Sequence, residues 1–555
     1  MSMRSGTTMT KNWEDAAQLK RTSVTNSIPS KWVNETIKDD MIKAGFSNTK
    51  AYLDSILPED EVAITELTVL ELQAKIASGE LMAANVANAY CHRAALAHQI
   101  LNCCSEIFFD KALETAKKLD EYFAKTGTVA GKLHGIPISL KDQVDLPGLD
   151  SSIGYVALLN KPKTEMSLLA EYLQKEGAVF YVKTTVPMAM LAPQTDSNIF
   201  GYSYNALNLQ LSTGGSSGGE GALIGAGASP LGFGTDIGGS IRIPSAFQGL
   251  YGLRPTSNRI SYLRVSNSYS GQTSMPSVIG PMARSLADIE YITKLIFNGK
   301  LWKSDPKVAP VPFSDNSSIK SEKLTYGLWK FDGMVRPHPP IQRALEETAK
   351  CLRAQGHEIV DIQLPNVDKI YETTMDIFTA DKGREVLEMC KESGEPVVPA
   401  VKTFVCSKPG ESPIDVNEWW DLCNRQYECQ VEFYKFWEET ASVTESGRPI
   451  DAIICPVWPF SAFLPGNHDS LNYSCPFNLL DCASVVVPVN KVDEKLDPFD
   501  PKYVPLNGSD EDVYKAYKPE LFDGMPVCIQ VVGKKFEDEK VLAAATAVDY
   551  ACRKS

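Results

Sequence analysis

Gly214-Gly215-Ser216-Ser217-Gly218-Gly219-Glu220-Gly221, running on to Gly234-Thr235-Asp236-Ile237-Gly238-Gly239-Ser240-Ile241-Arg242, is the most informative stretch of this chain. Eleven of the 26 residues from Gly214 to Gly239 are glycine, against 37 in all 555. Glycine is needed where φ is positive or where backbone must come close to something else. Flexible Gly/Ser linkers lack core-forming side chains, whereas this stretch carries Leu223, Ile224, Leu231, Phe233 and Ile237. It reads as tightly folded backbone that places two hydroxyls, Ser216 and Ser240.

Upstream, Ile136-Pro137-Ile138-Ser139-Leu140 forms an apolar, strand-like run that ends on Lys141. A hydroxyl nucleophile must lose a proton, and one base can take that proton up and return it to a leaving group. Lysine does so only when neutral, which requires burial. Spacing alone favours a lysine snorkelling from a strand end. Gly214 to Gly218 also satisfies G-x-S-x-G, the nucleophile elbow of α/β-hydrolases. An esterase of that kind would use Ser216 with a downstream acid and histidine, for which His338, His357 and His468 are available. That alternative leaves the glycines around Ser240, and Lys141, without a role.

Further out, helical and strand patterns alternate. Met166, Leu169, Ala170 and Leu173 mark a helix face before Gly177, and Ala178 to Val182 reads as a buried strand. Leu324–Phe331, Pro340–Gln355 and Glu358–Leu364 read as strand, helix and strand, with Asp451–Val457 and Val527–Val532 as further core strands. Such alternation predicts an α/β fold. Residues 1–60 read as a helical extension wrapped on a body formed by 61–555. Within that body 304–323 is a surface loop and 373–446 a variable helical region near the substrate entrance. Its aromatics, Trp419, Trp420, Tyr427, Phe433, Tyr434, Phe436 and Trp437, fit either core packing or an entrance wall.

A net charge of −14 disfavours nucleic acid or an anionic membrane as partner. No 18-residue apolar run and no apolar leader are present, so no transmembrane segment is expected. Thirteen cysteines without C-x-x-C spacing, and six histidines without H-E-x-x-H, argue against a zinc site. The odd cysteine count points to reduced thiols and a cytoplasmic protein. The glycines never fall in nucleotide-binding spacing.

Gly214 to Arg242 closely resembles the signature segment of the amidase signature enzymes. The resemblance extends through the run ending Lys141-Asp142, through Gly249-Leu250-Tyr251-Gly252-Leu253-Arg254-Pro255-Thr256 and through Gly280-Pro281-Met282-Ala283-Arg284-Ser285. It closes with Gly524-Met525-Pro526-Val527 to Gly533, so it covers the chain from Leu67 onward. Within the family the chain is most similar to fungal acetamidases and general amidases, a group that includes urethanases.

The resemblance implies a mixed, largely parallel sheet with helices on both faces. It implies Ser240 as nucleophile, Ser216 as the relay to Lys141, and a cis Gly215–Ser216 peptide. The backbone N–H groups of Ile237, Gly238, Gly239 and Ser240 would form the oxyanion hole. Met190, Gly214, Gly215 and Ser217 would border the substrate, while Asp236 and Arg242 would brace the loop. The implied reaction takes a small-molecule carboxamide, or a carbamate or ester, through an acyl-enzyme without metal or organic cofactor. An amidotransferase subunit is the other reading within the family, and a homo-oligomer is left open. Met188-Ala189-Met190 and Asn205-Ala206-Leu207-Asn208 depart from the family pattern, which leaves the pocket shape undetermined.

Overall fold

The computed structural model describes residues 12–315, 322–406, 411–466 and 473–553. His468 and part of the 304–323 loop lie outside the described residues.

An 11-stranded sheet organises the described residues. Its strands are β1 (Cys104–Ile107), β2 (Pro137–Lys141), β3 (Val179–Thr184), β6 (Leu231–Asp236), β7 (Tyr251–Arg254), β8 (Val278–Ala283), β9 (Thr325–Leu328), β10 (Glu358–Asp361), β11 (Ala452–Pro456), β12 (Ser484–Lys491) and β13 (Pro526–Val532). β4 (Asp196–Ser197) and β5 (Gly201–Tyr202) form a separate two-stranded ribbon. The order across the sheet is β1-β3-β2-β6-β8-β7-β12-β13-β11-β9-β10.

The sheet is mixed, with its parallel pairing confined to two regions. β2 runs parallel to β3 and β6, and β9 runs parallel to β10 and β11. The other six neighbouring pairs are antiparallel. Parallel neighbours need a long crossover, and the helices Leu168–Lys175 and Pro339–Ala354 supply two of them. These are the β-α-β units legible in the sequence, although β9 and β10, at four residues each, are shorter than the runs read for them.

Every residue of β2, β3, β6, β8, β11 and β13 is buried. Because successive side chains point to opposite faces, both faces of the sheet are covered. The helix Ala83–Leu101 is buried almost all round. The N-terminal helices Ile37–Lys43, Thr49–Ile56 and Glu59–Glu66 pack on it, and Trp32, Ile37, Met41 and Leu53 share its core. The helix Asp538–Arg553 packs on β12 and on Pro339–Ala354.

The long helix Val416–Glu439 carries the aromatic run. Phe433 and Trp437 are buried in its core-facing side, while Trp420 and Tyr427 are 60% and 67% exposed. No described helix is long and apolar enough to cross a membrane.

Candidate active site

Lys141 is the last residue of β2 and stands opposite Thr184 of β3. On its other side, β2 pairs Ser139 with Gly232 of β6. β6 ends at Thr235-Asp236, and the chain then turns tightly through Ile237, Gly238, Gly239 and Ser240. The Gly215–Ser216 peptide is cis, and Ser217 leads into the helix Gly218–Gly225. Ser217 laces the two glycine segments together: its N–H donates to Ser240 O (3.1 Å) and its hydroxyl to Thr235 O (3.2 Å).

Asp236 fixes the turn. It accepts from Gly239 N (2.8 Å), Ile241 N (3.2 Å) and Asn478 Nδ2 (2.8 Å), and it pairs with both Nε and Nη2 of Arg242. Arg242 also donates to Ser474 O, Gln530 Oε1 and Asn478 Oδ1, which anchors the turn to the C-terminal third of the chain. Burial alone would raise the Asp236 carboxyl. The Arg242 guanidinium and Asn478 instead hold it well below the usual carboxylate range. Gly239 has φ of +125°, and a Cβ there would lie 2.6 Å from Ser474 Oγ, so only glycine fits.

Lys141 is fully buried, and burial lowers its ammonium to about 7 against the opposing pull of Asp236, Glu220 and Asp142. Its Nζ lies 2.8 Å from Ser216 Oγ and 2.7 Å from Thr235 Oγ1. Thr235 gives its own proton to Gln143 Oε1 (2.6 Å). The Gln143 amide cannot be reversed, because its Nε2 donates to the carbonyl of Ser266 (2.8 Å). Lys141 must therefore donate to Thr235.

Ser216 and Ser240 both border a small cavity with Thr235, Ser268 and Ser277. On the other side of Ser240 lies an apolar cavity walled by Met190, Leu191, Ile243, Phe378, Phe404 and Cys475, with Gly215, Ile237 and Gly238 at its floor. Met190 lines both cavities, and it and Ala189 sit in the left-handed region at φ of +59° and +58°. Gly214 stands behind the site, where a Cβ would press on Pro244.

One expectation changes here. Gly239 N–H is already committed to Asp236 and does not face the cavity as a free donor. Among the described residues, Ile237, Gly238 and Ser240 carry the uncommitted N–H groups of the turn. The aromatic lining of the apolar cavity is Phe378 and Phe404, both within 373–446, which pack on one another at 5.3 Å between ring centres. Thr235 and Gln143 were also missed. Thr235 stood in plain view beside Asp236, but nothing local in the sequence reveals where its proton goes.

The described histidines are engaged elsewhere. His338 bonds to Val513 O, His357 to Leu324 N, His134 to Ala130 N and His92 to Glu61. His98, Cys103 and Cys104 gather ligand atoms within 4.8 Å of one another. The His98 Nδ1 lone pair there already accepts the Cys104 N–H at 3.1 Å.

A family model described as Amidase matches residues 85–542. The chain is 39% identical over 546 residues to an acetamidase of Emericella nidulans, covering 97% of this chain and 98% of the relative. It is 39% identical to a probable amidase of Saccharomyces cerevisiae, at 97% and 99% coverage. Among solved structures, a fatty acid amide hydrolase superposes with a TM-score of 0.91 at 35% identity, covering 97% of this chain and 95% of that one. A family match over most of the chain, together with relatives 39% identical over nearly its full length, establishes that the chain belongs to the Amidase family and is a hydrolase of amide C–N bonds.

Proposed function

We propose that the protein hydrolyses a small-molecule carboxamide by acyl transfer to Ser240, with Lys141 as base and Ser216 as the relay between them. The observation that carries this reading is the placement of Lys141, fully buried with Nζ 2.8 Å from Ser216 Oγ and a second acceptor, Thr235, at 2.7 Å. Ser240 Oγ adds to the carbonyl carbon as its proton passes to Ser216 and the Ser216 proton passes to Nζ. The oxyanion meets the N–H groups of Ile237, Gly238 and Ser240, each worth about 10²–10³ in rate by analogy with other oxyanion holes. As the C–N bond breaks, the proton returns through Ser216 to the leaving nitrogen. Water then releases the acid from Ser240 by the same relay.

The apolar cavity suits an aliphatic or aryl acyl group. Relatives named acetamidase and fatty acid amide hydrolase share that chemistry and differ in acyl length. Carbamates and esters present the same carbonyl and fit the same relay. Thirteen free cysteines suit a reducing, cytoplasmic compartment.

The test is active-site labelling with a fluorophosphonate, read by intact mass and peptide mapping. One adduct on Ser240, absent from Ser240→Ala, is expected. An adduct on Ser216 would overturn the assignment. Lys141→Ala is expected to lose more amide than ester turnover, since an alkoxide leaves with less need of a proton; equal losses would remove the relay from the mechanism.

A further inference from the structure

Glu220 lies inside the glycine-dense stretch, and the reaction just described gives it no role. It occupies the first turn of the helix Gly218–Gly225, and its side chain is completely buried. Its carboxyl reaches back over β6 into a slot that exists because residue 232 is glycine. A Cβ at Gly232 would lie 2.0 Å from Glu220 Oε2.

The hydrogen bonds around this carboxyl run in one direction. Ser229 gives its proton to Leu231 O (2.9 Å), and Ser139 gives its proton to Ser229 Oγ (2.9 Å). Ser139 Oγ also lies 2.5 Å from Glu220 Oε2. A hydroxyl has only one proton. With that proton spent on Ser229, the short contact to Glu220 needs a proton from the carboxyl itself. Thr184 Oγ1 donates to the other oxygen, Oε1, at 2.9 Å. A neutral carboxylic acid satisfies all four contacts, since Oε2–H donates to Ser139 and Oε1 accepts from Thr184. A carboxylate leaves the 2.9 Å Ser139–Ser229 contact without a proton.

The same two hydroxyls flank the base. Ser139 is two residues before Lys141 on β2, hence on the same face of the sheet, and Thr184 is the cross-strand partner of Lys141. We propose that Glu220 is a positioning residue for Lys141: held as a neutral acid between Ser139 and Thr184, it keeps negative charge away from the amine and so keeps Lys141 available as a base. This rests on the assignment of Lys141 as base.

The charged groups facing Glu220 pull both ways, Cys103 raising the carboxyl and Lys141 lowering it. Lys141 approaches it from β2, Cys103 and Cys104 from the β1 edge, and Tyr181 from β3. Asp236 and Asp142 act on Lys141 from β6 and from beyond β2. Burial is the main cause that lifts the carboxyl to about 8, and the hydroxyls of Ser139 and Thr184 only partly oppose it. Once ionised, Glu220 would favour the ammonium form of its neighbour. The proton taken from Ser216 would then stay on Lys141 instead of returning to the leaving nitrogen.

The experiment compares the pH dependence of kcat/KM in wild type and Glu220→Gln, whose amide donates to Ser139 and accepts from Thr184 as the neutral acid does. Wild type is expected to lose activity on an alkaline limb centred near 8, falling about tenfold one unit above that midpoint. Glu220→Gln is expected to lack this limb and to keep the acid limb where wild type has it. An acid limb displaced downward by about one unit or more in Glu220→Gln would show that a carboxylate normally faces Lys141, and would overturn the proposal. An alkaline limb shared by both proteins would overturn it equally. Should Glu220→Gln not fold, infrared titration of the wild type in heavy water gives the answer without a variant. A carboxylic-acid carbonyl band that disappears with a midpoint near 8 is expected, and its absence would refute the proposal. That band does not depend on turnover. Full amide activity in Lys141→Met would thus defeat the base assignment while leaving the state of Glu220 separately measured.

Discussion

Lys141 and Thr235 are joined by a hydrogen bond whose direction is fixed. Nζ donates at 2.7 Å, because Thr235 has already given its own proton to Gln143 Oε1 at 2.6 Å. Lys141, Thr235 and Gln143 thus form a chain of fixed direction, and Ser216 Oγ meets its first member at 2.8 Å.

Thr235→Val removes the acceptor that turns the lysine lone pair toward Ser216. We expect kcat/KM on an amide to fall by about 10- to 100-fold, within the range for a mispositioned general base, with a smaller loss on the matched ester. Steady-state rates on the pair decide it, and unchanged amide turnover would make Thr235 a spectator.

Because burial lowers Lys141 to about 7, the neutral amine dominates above that pH and the ammonium below it. The acid limb of kcat/KM is therefore expected near 7, with activity lost about tenfold per unit as pH falls further. A limb near the ordinary lysine value, about 10.4, would mean that the amine is hydrated and charged in the free enzyme.

Asp236→Asn leaves the guanidinium of Arg242 buried without its counter-charge, since both side chains are fully shielded from solvent. Breaking such a pair costs about 3–5 kcal/mol, which urea unfolding would detect as an earlier midpoint. The Asp236 carboxyl is held below its ordinary value. Its contribution is therefore present above the unfolded value of about 3.9 and is lost as pH falls through the lower folded value. The Asn variant should lack that acid-sensitive component.

Gly232→Ala drives a methyl into the Glu220 slot, 2.0 Å from Oε2 and 2.6 Å from Ser139 Oγ. Overpacking of this kind costs about 1–3 kcal/mol. Truncating the carboxyl in the double variant Gly232→Ala/Glu220→Ala makes room again. Its loss of thermal stability is expected to be smaller than the sum of the single variants, and strict additivity would show that the two positions do not compete for space.

Phe378 and Phe404 close the apolar cavity against one another. Phe378→Ala is expected to raise the preference for hexanamide over acetamide by about tenfold, the scale of one or two accommodated methylenes. A series of straight-chain amides read as kcat/KM ratios would show it. An unchanged ratio would place the acyl group elsewhere.

The sequence by itself marked the segments from which the site is built. Glycine density around Ser216 and Ser240, an apolar run ending on Lys141 and the two β-α-β patterns are local properties, because backbone conformation and strand or helix periodicity are written in neighbouring residues. Tertiary structure decided how those residues are wired. Whether Lys141 donates to Thr235 depends on Gln143, and Gln143 is oriented by the carbonyl of Ser266, more than a hundred residues away. Asp236 takes the Gly239 N–H that the family resemblance had implied for the oxyanion hole. The cavity walls Phe378 and Phe404 arrive from helices with no local mark of their destination, while the more conspicuous Trp420 and Tyr427 turn to solvent. A side chain's type is fixed by sequence, but the partner that takes its proton, or the face it packs against, exists only once distant segments have met.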